Sequence, residues 1–221
     1  MGRNAGWLTA AAALAGEKSG GQGPHLVFLP EVSFGVEAFL QKVQAAQAKH
    51  QNVVVAVSEG VRTAEGAYVG EMQGSAQDDF GHGTLGGVGQ VLENLVRERL
   101  GCKVRGINLN VLQRAAGHFA SATDLAEAEA VGAEGVRLAL AGETGKMVAI
   151  RRVSNSPYAV EYAGVEVSRV ANKERKVPLE WIGEAAVLPP LLAYLRPLMV
   201  DLPALPRCGY FYVDRQRLVQ P

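Results

Sequence analysis

Two arginines bracket one short stretch of this chain. Lys103 to Arg114 reads K-V-R-G-I-N-L-N-V-L-Q-R, with Arg105 near one end and Arg114 at the other. A planar guanidinium presents paired donors that match a phosphate or a carboxylate, so this pair suits capture of a phosphorylated small molecule. Taken alone, the same pair also fits two solvated segment ends, and the rest of the chain has to weigh between them. Ile107, Leu109 and Val111 alternate with Asn108 and Asn110. That is the period of a half-buried strand, so the whole segment is expected to be one extended element.

Other residue patterns of chemical interest carry less. Gly81-His82-Gly83-Thr84-Leu85-Gly86 fits the dinucleotide-binding spacing G-x-G-x-x-G and opens a helical pattern. Gln77-Asp78-Asp79-Phe80 precedes it instead of an apolar strand, and no acid follows about twenty residues on to take a ribose hydroxyl, so it reads as a turn with helix packing. His25, His50, His82 and His118 lack metal-ligand spacing. No phosphate loop of the G-x-x-x-x-G-K-[ST] type and no G-x-S-x-G nucleophile turn occurs. Cys102 and Cys208 are the only cysteines, which rules out a disulfide framework and is compatible with a reducing cytosol.

Composition narrows the partners. Lys+Arg and Asp+Glu both number 22, so no global field draws the chain to nucleic acid or to an anionic membrane. Any anion must be held locally. Arg196 and several prolines interrupt the best C-terminal apolar run before it reaches the length of a membrane span. Arg3 followed by Trp7 to Ala15 imitates a short signal peptide. A single positive side chain and a mostly alanine stretch favour a helix instead, and a cytoplasmic location is expected.

These residues need a scaffold, and the hydrophobic periods supply one. His25 to Leu29 is a continuous apolar run closed by Pro30-Glu31, and Asn52 to Val57 is a second, closed by Ser58-Glu59. Val36, Phe39, Leu40 and Val43 between them recur at helical spacing. Strand, helix, strand at these lengths is a βαβ unit in a parallel sheet, the α/β class. Ligands of such sheets sit beyond the carboxyl ends of the strands, where Glu31 and Glu59 fall; Glu31 is read as a binding residue and Glu59 as an ordinary loop residue. Helices are expected from Thr84 to Leu100 and, opened by the capping sequence Ser121-Ala122-Thr123-Asp124, to about Ala141. Strands follow at Lys146–Arg151 and Tyr158–Val170, then short helices at Pro178–Ile182 and Pro190–Leu198.

Five stretches, in this order and spacing, resemble the phosphofructokinase family, and within it the pyrophosphate-dependent branch. They are M-G-R-N-A-G-W at Met1–Trp7, L-P-E-V at Leu29–Val32, D-F-G-H-G-T-L-G-G-V at Asp79–Val88, V-R…V-L-Q-R at Val104–Arg114 and A-N-K-E-R-K-V-P-L-E-W at Ala171–Trp181. The resemblance implies a phosphofructokinase-like parallel-sheet fold and a fructose 6-phosphate site. In it Met1, Gly2 and Arg3 lie against the sugar, Glu31 accepts from sugar hydroxyls, and Arg114 grips the 6-phosphate. Arg105 reaches the same phosphate, in many members from a neighbouring subunit, so a homo-oligomer is implied. Val111 stands where the family usually has His or Tyr, and Asn4 where His is common.

The same resemblance implies a glycolytic phosphotransferase, moving phosphoryl from pyrophosphate through Mg2+ to fructose 6-phosphate. An ATP-dependent enzyme and a non-catalytic regulatory subunit are the alternatives. The family's phosphate cradle, metal carboxylates and catalytic aspartate lie upstream of the M-G-R motif. The chain is therefore expected to be a C-terminal part, inactive and poorly stable alone, with its sheet edges and apolar helix faces short of partners. Residues 1–115 would be the remainder of the sugar-phosphate lobe, 116–175 a segment completing the phosphoryl-donor lobe, and 176–221 the C-terminal helices and tail.

Overall fold

A computed structural model describes residues 3–72, 87–117, 120–200, 207–208 and 211–212, with the backbone alone described at 18, 113–114, 207–208 and 211–212. Met1, Gly2, the G-x-G-x-x-G stretch, His118 and most of the C-terminal tail lie outside these residues. The chain divides into two compact units, 1–108 with 167–196, and 109–166 with 197–221.

The first unit is built on the expected βαβ. β1 (Leu26–Phe28) and β2 (Val55–Val57) pair in parallel, with Leu26 opposite Val55 and Phe28 opposite Val57, and α3 (Val36–Gln47) crosses between them. Before them run α1 (Trp7–Ala11) and α2 (Ala13–Lys18). Pleating sends alternate side chains to opposite faces. Leu26, Phe28, Val55 and Val57 join a core with Phe39, Leu40 and Val43 of α3 and with Val88, Val91, Leu92 and Val96 of α4 (Val88–Leu100). Val27, Leu29 and Ala56 join a second core with Ala10, Leu14 and, on α8 (Pro189–Leu195), Leu191 and Leu195. Helices on both faces explain why these strands read as unbroken apolar runs. The small hairpin of β5 (Ile182–Gly183) and β6 (Ala186–Val187) guards the outer edge of β1, where Val27 N–H donates to Ala185 O at 2.8 Å. α4 stops at Gly101, whose φ of +63° is the left-handed conformation that glycine supplies at helix ends.

The expected strand over Lys103–Arg114 is not formed. Residues 103–109 belong to no regular element, Asn110 and Val111 turn, and α5 covers Leu112–Ala115. Ile107, Leu109 and Val111 are 73%, 56% and 62% exposed. Alternation defines two faces, but a strand exists only where its backbone finds a ladder. Here the Gly106 amide is already taken by Glu93 Oε2 at 2.7 Å, and Gly106 lies so close to α4 that a Cβ would come within 3.0 Å of Gly89 O.

In the second unit α6 (Ala122–Leu140) begins as the capping sequence requires. Ser121 Oγ accepts from the Thr123 amide at 3.2 Å and the Asp124 amide at 3.5 Å. α6 packs on the antiparallel hairpin of β3 (Lys146–Asn155), longer than expected, and β4 (Tyr158–Glu166), and the Tyr158 hydroxyl donates to Glu127 across that contact. The expected continuation of β4 to Val170 ends early, in a turn of helix, α7 (Val167–Val170), that belongs to the first unit. All the fully buried apolar side chains among the described residues lie in the first unit. Leu125, Val136 and Leu140 on α6 are 50%, 60% and 85% exposed. No helix among the described residues is long and apolar enough to cross a membrane.

This contrast predicts different local stabilities, since protection follows buried apolar contact. Amides of β3 and β4 should exchange with solvent faster than those of α3 and α4 in native-state hydrogen exchange; equal protection would contradict the division. Asp124 gives a second prediction. Desolvation, and next the neighbouring Glu127 carboxylate, push its carboxyl above the ordinary carboxylate range. A raised folded value means the folded state holds the proton more tightly than the unfolded chain. The resulting stability is present at low pH and is lost as pH rises through the folded value. Asp124→Asn should therefore raise the urea midpoint of this unit at pH 7 and have little effect at pH 3.

Candidate functional site

The carboxyl ends of β1 and β2 carry the residues of interest in the first unit. Leu29-Pro30-Glu31 leaves β1, and Ser58-Glu59-Gly60 leaves β2. The N-terminal loop 3–6 packs against both. Gly60 permits this approach, because a Cβ there would sit 1.9 Å from Arg3 O. Ser58, 5% exposed, donates through Oγ to Thr9 Oγ1 at 2.6 Å and ties the end of β2 to α1.

Glu31, expected to face sugar hydroxyls, turns inward. Its Oε1 accepts from the Gly6 amide at 2.8 Å and from the Val177 amide at 2.9 Å. Its Oε2 is sealed from solvent, and a Cβ on Gly6 would lie 2.7 Å from it. Gly6 is the residue that opens α1, so the carboxylate also sits where a helix N-terminus favours negative charge. Glu31 thereby joins three separate stretches: the N-terminal loop, the exit of β1 and the loop before Pro178. Two further bonds secure the last of these, Trp7 Nε1 to Arg175 O at 2.7 Å and Asn4 Nδ2 to Glu174 Oε1 at 2.8 Å.

Glu59 is exposed in the turn two residues past the end of β2, and its neighbour Gly60 lies directly under the Arg3 carbonyl. Its position at a strand's carboxyl end was visible from sequence, but nothing in the spacing ranked it above Glu31. Arg3 is exposed, with its guanidinium 5.7 Å from the centre of the Tyr68 ring. Tyr68 stands on the return arm of a short hairpin held by a bridge between Arg62 and Tyr68.

Arg105 is exposed and lines a cleft of about 370 Å³ bordered by Val55 and Val57 of β2, Phe39 of α3 and Leu92 of α4. Val111 and Arg114 belong to the second unit, at the start of α5 and within it. Val111 is exposed, and the Arg114 side chain lies outside the described residues, as do Met1 and Gly2. Of the residues singled out from sequence, the structure therefore gathers Arg3 and Glu31 around one loop and adds Glu59 to them. Among the described residues no three acidic, imidazole or thiolate groups converge so as to hold a metal.

The shared carboxylate yields a test. Glu31→Ala leaves the Gly6 and Val177 amides unsatisfied in a buried setting and should cost about 3 kcal/mol, read from the urea midpoint. Glu31→Gln keeps an accepting oxygen and should recover most of that. Equal loss in both variants would show that the amides are not what the side chain serves.

A family model described as phosphofructokinase matches residues 1–139. The pyrophosphate–fructose 6-phosphate 1-phosphotransferase of Methylococcus capsulatus is 43% identical over 201 residues, covering 90% of this chain and 47% of that one. The protein of the same name from Halomonas elongata is 42% identical over 184 residues, 83% of this chain and 43% of that one. A crystal structure of the pyrophosphate-dependent phosphofructokinase from Marinobacter aquaeolei superposes with a TM-score of 0.77 at 32% identity, over 98% of this chain and 53% of that one. The chain spans about half the length of the relatives it matches. On the extent of the family match and on these identities, the chain belongs to the phosphofructokinase family.

Proposed function

We propose that this chain supplies the fructose 6-phosphate side of a pyrophosphate-dependent phosphofructokinase, whose reaction converts pyrophosphate and fructose 6-phosphate to fructose 1,6-bisphosphate and phosphate. The observation that carries this is the seating of the Arg3 loop on Gly60, beside the exposed Glu59, at the carboxyl ends of a parallel strand pair. The pyrophosphate donor is favoured by the names of relatives 43% and 42% identical to the chain.

In this reading Arg3, preceded by Met1 and Gly2, lies against the sugar. Glu59 accepts from its hydroxyls, with Glu31 behind as the group that holds the loop in place. Arg105 and Arg114 take the 6-phosphate, where paired guanidinium donors match its oxygens. Val111 supplies no hydrogen bond, so grip at that position falls to the neighbouring arginine. Residues 1–115 form the sugar-phosphate part, 116–175 the segment serving the donor lobe, and 176–221 the C-terminal part. Mg2+ would supply charge neutralisation for the transferred phosphoryl group. Binding and orienting the sugar phosphate is the part of the reaction assigned here to this chain.

Titration calorimetry of the full chain tests the proposal. Fructose 6-phosphate should bind and fructose should not. Arg114→Ala and Glu59→Gln should each weaken binding about tenfold or more, equivalent to about 1.4 kcal/mol. An aldolase-coupled assay with pyrophosphate or ATP should show no turnover. Binding that ignores the phosphate, or turnover by the chain alone, would refute this division of labour.

A further inference from the structure

Tyr68 belongs to none of the motifs that carry the family resemblance, yet it stands at the middle of an ordered hydrogen-bond relay. Arg62 Nη2 donates to Tyr68 Oη, Tyr68 Oη donates to Asn4 Oδ1 at 3.1 Å, and Asn4 Nδ2 donates to Glu174 Oε1 at 2.8 Å. The polarity of this relay is forced. A carboxylate only accepts, so the amide nitrogen of Asn4 must face Glu174 and its oxygen must face Tyr68. A guanidinium only donates, so the single proton of Tyr68 is directed to Asn4. The relay runs from a cation to an anion, which strengthens each bond between them.

What the relay holds is the chain segment next to it. Asn4 follows Arg3, and the Arg3 carbonyl is the group seated on Gly60 beside Glu59. The Arg62 guanidinium lies 3.7 Å from the centre of the Tyr68 ring, and that of Arg3 lies 5.7 Å from it. The hairpin bearing Tyr68 is itself anchored: Phe34 N–H donates to Arg62 O at 2.7 Å, and Val69 N–H to Val61 O at 3.1 Å, with Val61 and Val69 wholly buried. A firmly built hairpin therefore grips the loop that follows the exposed Arg3 through one hydroxyl.

We propose that Tyr68 is a positioning residue, which through Asn4 and the Glu174 anchor keeps Arg3 in register with Glu59 for a sugar phosphate. This deepens the fructose 6-phosphate reading and rests on it. Tyr68→Phe retains the ring under Arg3 and removes only the hydroxyl. It should weaken fructose 6-phosphate binding by about tenfold, speed hydrogen exchange at the Asn4 and Ala5 amides, and leave the urea midpoint in place.

Asn4→Leu should act alike, and the double variant should be no worse than the more damaging single one, as members of one relay require. Asn4→His should restore both readouts, because a neutral imidazole accepts at one nitrogen and donates from the other. Wild-type chain that binds fructose 6-phosphate while Tyr68→Phe binds it equally well would overturn the inference. If the wild-type chain does not bind the sugar phosphate, the functional reading itself fails. Exchange at Asn4 and Ala5 then judges the relay by itself, and rates unchanged in Tyr68→Phe would overturn it.

Discussion

One carboxylate oxygen joins three parts of the chain that are far apart in sequence. Glu31 Oε1 accepts from the backbone of Gly6 and of Val177, residues 25 and 146 positions away. Neither amide has another route to satisfaction once α1 is packed over the sheet, and an unpaired buried amide is costly. Negative charge suits this place because both partners are donors and one of them opens a helix. With that oxygen in position, the N-terminal loop must pass over the ends of β1 and β2, and Gly60 has to be a glycine for it to do so.

The two units differ in how they are held. The first closes a parallel strand pair between two layers of helices, one burying a cluster of Phe, Leu and Val and the other a cluster of Leu, Val and Ala. The second sets one helix on one hairpin, and among its described residues no apolar side chain is fully removed from water. Its order comes from local features instead: the Ser121 cap, the antiparallel ladder of β3 with β4, and the Tyr158–Glu127 bond. The Tyr158 phenol is pushed up to about 12 by desolvation and then by that bond, so it keeps its proton throughout the ordinary range. Burial drives folding in proportion to apolar area, which is why sequence patterning was most informative about the first unit.

The βαβ unit was legible because two apolar runs and a 3.6-residue period leave few alternatives. The start of α6 was legible because a serine cap is local chemistry. Lys103–Arg114 was misread because alternation describes a face, whereas a strand needs a backbone partner. Glu93 captures the Gly106 amide before any strand can. The candidate site was half legible. Strand-end placement held for both Glu31 and Glu59, of which the sequence favoured Glu31, and only packing shows that one Glu31 oxygen is taken by two amides while Glu59 is exposed.

Sequence alone therefore determined the α/β class, the parallel pair, the helix that opens at Ser121, and the family to which the chain is related. Each depends on residue type and near-neighbour spacing, which a linear string contains. Tertiary structure decided which acid faces outward, what Tyr68 touches, and that the segment around Arg105 stays out of the sheet. These depend on which backbone donors and acceptors arrive within 3 Å or so of a side chain, and residues as distant as Asn4 and Glu174 become neighbours only after the chain has folded.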